Sequence, residues 1–270
     1  IVFKRVDLNE NNLIKASYSN VSSARLCTTL ENKHGVKVST VEHLLAAIYI
    51  AGIDNVIIEV DNEEIPIMDG SAKEFLNEIK KTDSLNQFKK RKFLKITDKI
   101  DLKVGKKQIS IEPNQSSLTV DFQLDYENKI IGNQKNQIDF QNDKLDEVTN
   151  ARTFCLYEDI EKIKKMGLAK GGSLDNAIVV DGEKVLNKEG LRSHKEFVNH
   201  KILDLAGDFL LSGYRVIGNV SCYHGGHELT NLFLRKIFQD NTLFKIIELE
   251  DIFVSKEIKI KRAHKLAVNA

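Results

Sequence analysis

His200-Lys201-Ile202-Leu203-Asp204-Leu205-Ala206-Gly207-Asp208 is the stretch from which the rest of the chain can be read. Apolar residues recur at Val198, Ile202, Leu205 and Phe209, the period of a helix that turns one stripe to a core. His200, Asp204 and Asp208 stand at i, i+4 and i+8 on a second stripe, with Gly207 beside them. A solvated polar face has the same spacing. Here, however, the other stripe already supplies the core, and a histidine one turn from a carboxylate pairs two metal-ligand types. Far upstream, Glu42-His43 offers a third ligand and a base. Three protein ligands with an open fourth position is the plan of a catalytic zinc site.

Working outward, Ser193 and Glu196 match a capping box that opens a helix over 195–212, with Gly213 as its stop. Ser39 and Glu42 match another at the head of a helix over 40–51 closed by Gly52, and Ser71 and Glu74 a third, for a helix reaching 81. Between them, 56–60 is a β-branched run that reads as a buried strand, and 65–70 as a turn. The lysine-rich stretch 81–92 is the candidate linker. Beyond it, 93–104, 108–112 and 117–125 read as antiparallel strands, followed by a strand at 137–140 and a helix over 157–166. A strand at 177–180, the long helix, a strand at 214–222 and a last helix reaching 238 complete the pattern. Strands followed by helices in each half indicate an α+β fold of two domains of similar plan, over 1–85 and 92–270.

Composition narrows the function classes. Forty basic residues against 39 acidic ones leave a net charge of +1, so whole-chain electrostatics gives no argument for nucleic acid. The run Lys89-Lys90-Arg91-Lys92 reads as solvated linker. Three scattered cysteines, Cys27, Cys155 and Cys222, form no CxxC pair and fit a reducing compartment. The opening Ile1-Val2-Phe3-Lys4-Arg5 precedes no cleavage site, and the apolar stretch 44–53 is too short to span a bilayer. A cytoplasmic location is therefore expected. The glycine-rich turn 167–173 lacks the GxxxxGK[ST] spacing and reads as a hairpin or pocket wall. Glu42 fits a purely capping role, and His43 that of a helix-start histidine. His227, after two glycines, reads as a loop histidine or as a cation meeting developing negative charge, with Asp208 raising its pKa.

Six blocks then run in order along the chain: Ser39-Thr40-Val41-Glu42-His43-Leu44, Glu64-Ile65-Pro66-Ile67-Met68-Asp69-Gly70-Ser71, Ala151-Arg152-Thr153-Phe154, Gly171-Gly172-Ser173, His200-Lys201-Ile202-Leu203-Asp204 and Gly226-His227. Together they resemble the UDP-3-O-acyl-N-acetylglucosamine deacetylases, zinc amidases of lipid A biosynthesis in Gram-negative bacteria. The resemblance implies two domains, each a mainly antiparallel sheet packed on helices, with the active site between them. It implies zinc on His43, His200 and Asp204, and water and UDP-3-O-acyl-N-acetylglucosamine as substrates, with acetate released. Glu42 takes the role of general base. His227, with Asp208 behind it, stabilises the oxyanion and protonates the leaving amine, and Thr153 adds an oxyanion hydrogen bond.

The same resemblance places Lys201 toward the sugar or diphosphate and Tyr126 where the family stacks uracil. An inserted segment over about 154–180 is expected to form a hydrophobic passage for the acyl chain. Its candidate walls are Leu156, Ile160, Leu168 and Ala169, and Phe154 and Ser173 are further expected substrate contacts. A monomer with no membrane span and no nucleic-acid partner is expected. Two departures stand out. His224 occupies a place where the family usually has a phosphate-contacting lysine, so weaker, more pH-dependent diphosphate binding is expected. The family also carries a leading pair of strands with a Gly-Leu-His turn before the counterpart of Val2-Phe3-Lys4-Arg5, so the expectation is either a truncated sequence or a first domain that lacks them. A different zinc hydrolase, or a nucleotide-sugar-binding module without activity, shares part of this pattern; stoichiometric metal separates the enzyme from the module.

Overall fold

The structure, a computed structural model, describes residues 1–167 and 169–249. The chain begins with strands β1 (Val2–Arg5), β2 (Leu13–Lys15), β3 (Val21–Ser23), β4 (Thr29–Glu31) and β5 (Lys37–Val38). Helix α1 (Glu42–Ala51), strand β6 (Ile57–Val60) and helix α2 (Lys73–Lys81) follow. β1 lies between antiparallel β2 and parallel β6, while β4 lies between β3 and β5. The expected buried strand is thus an edge strand, paired with β1 alone among the described residues, and one of its faces, with Ile57 and Glu59, is exposed. Gly52 closes α1 as expected, at φ 78°, a left-handed conformation that costs glycine no Cβ clash.

The second half starts with β7 (Arg91–Ile96), β8 (Ile100–Val104), β9 (Lys107–Glu112), β10 (Leu118–Asp125) and β11 (Asn133–Asp139). A short helix α3 (Asp146–Thr149) leads to β12 (Phe154–Leu156), α4 (Ile160–Lys165), β13 (Ile178–Asp181) and β14 (Lys184–Val185). Then come α5 (Glu196–Leu210), β15 (Arg215–Tyr223), α6 (His227–Gln239) and β16 (Phe244–Leu249). β15 is the hub of the large sheet. It runs parallel to β10 along one edge; on the other it pairs first with parallel β7 and then with antiparallel β9. Gly218 sits where the partner changes, and a Cβ there would run into the side chains of Ile111 and Ile96. Pairing is mainly antiparallel, as expected: β7 pairs so with β16, β10 with β11 and β8 with β9. The parallel pairing of the strands at 93–96 and 118–125 with β15 is the departure, made by a strand that arrives about a hundred residues later.

β10 shows the expected alternation, with Leu118, Val120, Phe122 and Leu124 turned inward. The expected linker is shorter than its composition suggests, because Arg91 and Lys92 belong to β7. Arg91 donates to the Gly52 carbonyl at 2.8 Å, tying β7 to the end of α1. None of the three capping boxes forms. Ser39 donates to the Glu63 carbonyl, the Glu42 carboxylate accepts from the Thr28 N–H, and Glu196 is taken up by Arg152 and Arg192. Ser71 alone touches its helix, accepting from the Lys73 N–H at 3.2 Å. At Ser39, Glu42 and Glu196 long-range partners outcompete the local cap, whereas Ser71 donates to Asp69, two residues before it. Among the described residues, no helix is long and apolar enough to cross a membrane.

Candidate active site

α5 is buried nearly all round, packed against α1, α3, α6 and strands β10, β11 and β15. His200, Asp204 and Asp208 are only 2%, 3% and 3% exposed, which rules out a solvated polar face. The buried charge needs partners, and α1 brings them. Gly207 lets the two helices meet: a Cβ there would collide with the Glu42 carbonyl and crowd the Ala46 N–H. Just before α1, Thr40 adopts φ 58°, a costly conformation for a β-branched residue, held by its hydroxyl donating to Glu64 at 2.8 Å. Docking on Gly207 therefore lays the first turn of α1, with Glu42 and His43, against α5.

His43, His200 and Asp204 converge, with one ligand-type atom from each lying within 4.8 Å of the others. Asp204 Oδ1 stands 3.4 Å from His43 Nε2 and 3.3 Å from His200 Nε2. It is buried and, among the described residues, has no hydrogen-bond partner. His200 Nδ1 lies 3.3 Å from the Ala151 carbonyl, which can only accept, so the neutral ring carries its proton on Nδ1 and its lone pair on Nε2. Burial lowers the His200 pKa to about 3 despite Asp204, keeping the ring neutral. Burial acts to raise Asp204, but His200, Lys201 and His227 outweigh it and hold the carboxylate well below its ordinary range. Two imidazole nitrogens and a carboxylate oxygen brought this close together are a donor set that suits a divalent metal with nitrogen and oxygen preference, so the residues fit the zinc that the family resemblance implies.

Around that cluster lies a second layer. His227, the first residue of α6, meets Asp208 Oδ2 through Nδ1 at 2.7 Å. Its Nε2 points back toward the centre, 3.7 Å from Glu42 Oε1 and 3.9 Å from Asp204 Oδ2. Burial opposes its charge, but Asp208, Glu42 and Asp204 raise its pKa to about 10. Burial raises the Glu42 carboxyl, against the pull of His227 and His43. Thr28 joins the two acids: its N–H donates to Glu42 at 3.0 Å and its hydroxyl to Asp208 at 2.7 Å. Nothing in the sequence marks Thr28, because its role arises only when β4 meets α1 and α5. Lys201 donates to Asp204 Oδ2 at 2.8 Å and lies 5.4 Å from the centre of the Phe154 ring.

The other expected residues divide into two groups. Phe154 packs edge-on against Phe197 and, at 6.1 Å, against His200, and Tyr126 bridges Phe154 and His224. These aromatic residues border the buried cluster. Thr153 is half-buried, and its backbone links Gly70 to Ile178. Leu156 and Ile160 are half-buried, whereas Ala169 and Ser173 are exposed; Ser173 Oγ accepts from the Asp175 N–H in its own loop. Leu168 lies outside the described residues.

Comparison with known proteins gives one consistent result. The sequence model of a family described as UDP-3-O-acyl N-acetylglycosamine deacetylase matches residues 1–239. A protein of Pasteurella multocida named UDP-3-O-acyl-N-acetylglucosamine deacetylase is 41% identical over 254 residues, covering 93% of this chain and 83% of its own length. One of the same name from Actinobacillus pleuropneumoniae serotype 3 is 39% identical over 255 residues, with the same two coverages of 93% and 83%. A third, from Pseudoalteromonas translucida, is 40% identical over 240 residues, 88% of this chain and 79% of its own.

Proposed function

We propose that His43, His200 and Asp204 hold a zinc ion at the reacting centre of this chain, which belongs to the UDP-3-O-acyl N-acetylglycosamine deacetylase family. The chain is a hydrolase of lipid A biosynthesis that removes the N-acetyl group of UDP-3-O-acyl-N-acetylglucosamine and releases acetate. The observation that carries the zinc reading is Asp204 Oδ1, a buried, unpartnered carboxylate oxygen between two imidazole nitrogens. When bound, zinc supplies Lewis-acid polarisation of the amide carbonyl and makes water acidic enough to attack near neutral pH.

The remaining steps belong to the chain's own side chains. Glu42, its pKa raised by burial, is the general base that takes the proton of the attacking water, and the Thr28 N–H holds its other oxygen in place. His227 is a cation across the neutral range, with Nε2 aimed at the same centre, so it stabilises the oxyanion and then protonates the departing amine. Asp208 keeps that imidazole charged and oriented. Thr153 contributes a hydrogen bond to the oxyanion, and Lys201 beside Phe154 meets the sugar or diphosphate. Tyr126 and His224 lie on the nucleotide side, and the 154–180 segment, through Leu156, Ile160 and Ala169, lines the way of the acyl chain, with Ser173 a further substrate contact.

An acetate-release assay on UDP-3-O-acyl-N-acetylglucosamine tests this reading. Chelation is expected to abolish release and added zinc to restore it; release that persists in chelator contradicts the zinc assignment.

A further inference from the structure

The peptide joining Ala151 and Arg152 is gripped at both ends by one helix. Its carbonyl meets His200 Nδ1 at 3.3 Å, and its N–H donates to Glu196 Oε1 at 3.1 Å. Glu196 and His200 are i and i+4 on α5, so one face of that helix holds both edges of a single planar unit. The carboxylate is fully occupied. Oε1 also accepts from Arg152 Nε at 2.9 Å, and Oε2 accepts from Arg152 Nη2 at 3.3 Å and from the Arg192 N–H at 2.6 Å. Arg152 directs its other donors to the Gly190 carbonyl at 2.7 Å and to Glu189 at 2.6 Å. Arg152 and Glu196 are both fully buried.

We propose that Glu196 and Arg152 are positioning residues for the metal centre, acting on His200 through the peptide between Ala151 and Arg152. The proposal rests on His200 being a metal ligand. A carboxylate at the N–H end polarises the amide and makes its carbonyl a stronger acceptor. That carbonyl holds the proton of His200 on Nδ1, so the lone pair of Nε2 faces His43 and Asp204. A ligand histidine held in this way is more basic and correctly turned, and loss of such a partner typically weakens metal binding. Arg152 supplies the positive charge without which Glu196 would be a costly isolated charge in the interior. A staple that merely joins α5 to the 150–153 segment would instead affect stability and leave the metal alone.

Three chains separate these outcomes: wild type, Glu196→Gln, which keeps the shape and an acceptor but not the charge, and Glu189→Ala, which removes an exposed partner of Arg152 and leaves the peptide link intact. Zinc affinity is measured by competition with a chromophoric chelator, alongside thermal unfolding of the metal-free chains. Glu196→Gln is expected to weaken zinc binding by about 10- to 100-fold, and Glu189→Ala to leave it unchanged. Nitrogen NMR of the metal-free wild type is expected to show His200 protonated on Nδ1. Wild-type affinity in Glu196→Gln, an equal loss in both variants, or a His200 protonated on Nε2 would each overturn the proposal. If Glu196→Gln fails to fold, the tautomer of the wild-type chain decides alone. A wild-type chain that binds no zinc overturns the metal reading itself, and the tautomer measurement, which needs no metal, distinguishes that failure.

Discussion

Glu196, at the start of α5, and Asp204, two turns further along, are both buried carboxylates among cations, yet they are satisfied to different degrees. Glu196 accepts four hydrogen bonds from Arg152 and Arg192. Asp204 gives one oxygen to Lys201, while the other faces His43 and His200 and, among the described residues, accepts none. A buried acceptor left unpaired costs about 1–3 kcal/mol, a cost folding avoids where it can, as it does at Glu196. The same helix therefore carries a closed ion cluster and an open one, and the open one is where coordination capacity is left for a metal.

The largest expected effect breaks the open cluster. His43→Ala, His200→Ala or Asp204→Ala should each strip zinc, seen as loss of metal after gel filtration together with loss of turnover. Normal metal content in all three would end the assignment. Glu42→Ala should keep the metal and lose turnover by roughly two to four orders of magnitude, the usual scale for a general base. Retained turnover with retained metal would move the base elsewhere.

His227 sharpens the comparison through pH. Its folded pKa of about 10 lies above the ordinary histidine value, so its contribution to stability is full below about 6.5 and is lost as pH rises toward 10. In that window the native state holds a proton that the unfolded state has released. Urea unfolding of the metal-free chain should show stability declining with pH across it, and His227→Gln should flatten that decline. The same two groups should shape the rate profile, with Glu42 on the acid limb and His227 on the alkaline limb; a flat profile contradicts both roles.

Two smaller effects probe packing and the closed cluster. Gly207→Ala forces α1 away from α5 and should cost about 1–3 kcal/mol, read as a lower unfolding midpoint with weaker metal binding. Arg192→Ala removes a partly exposed pair with Asp69 but keeps the backbone N–H on Glu196, so about 0–1 kcal/mol is expected, with metal affinity unchanged.

The sequence was most legible where function and local structure coincide. The i, i+4 spacing of His200 and Asp204 needs only a helix, and Gly52 needs only its own φ to close α1. The capping boxes misled because Ser39, Glu42 and Glu196 have long-range partners that no local pattern reveals. Parallel pairing of β7 and β10 with β15 was hidden for the same reason, as was Thr28, which gains meaning only from Glu42 and Asp208. Arg152 lies in the family-like block Ala151-Arg152-Thr153-Phe154, yet its link to His200 runs through a peptide plane that spacing cannot show.

Metal stoichiometry tests the central claim most directly. Elemental analysis of the purified chain beside Asp204→Asn, both reloaded with zinc after chelation, should give about one equivalent for the wild type and little for the variant. Equal zinc in both chains, or none in the wild type, would contradict the account.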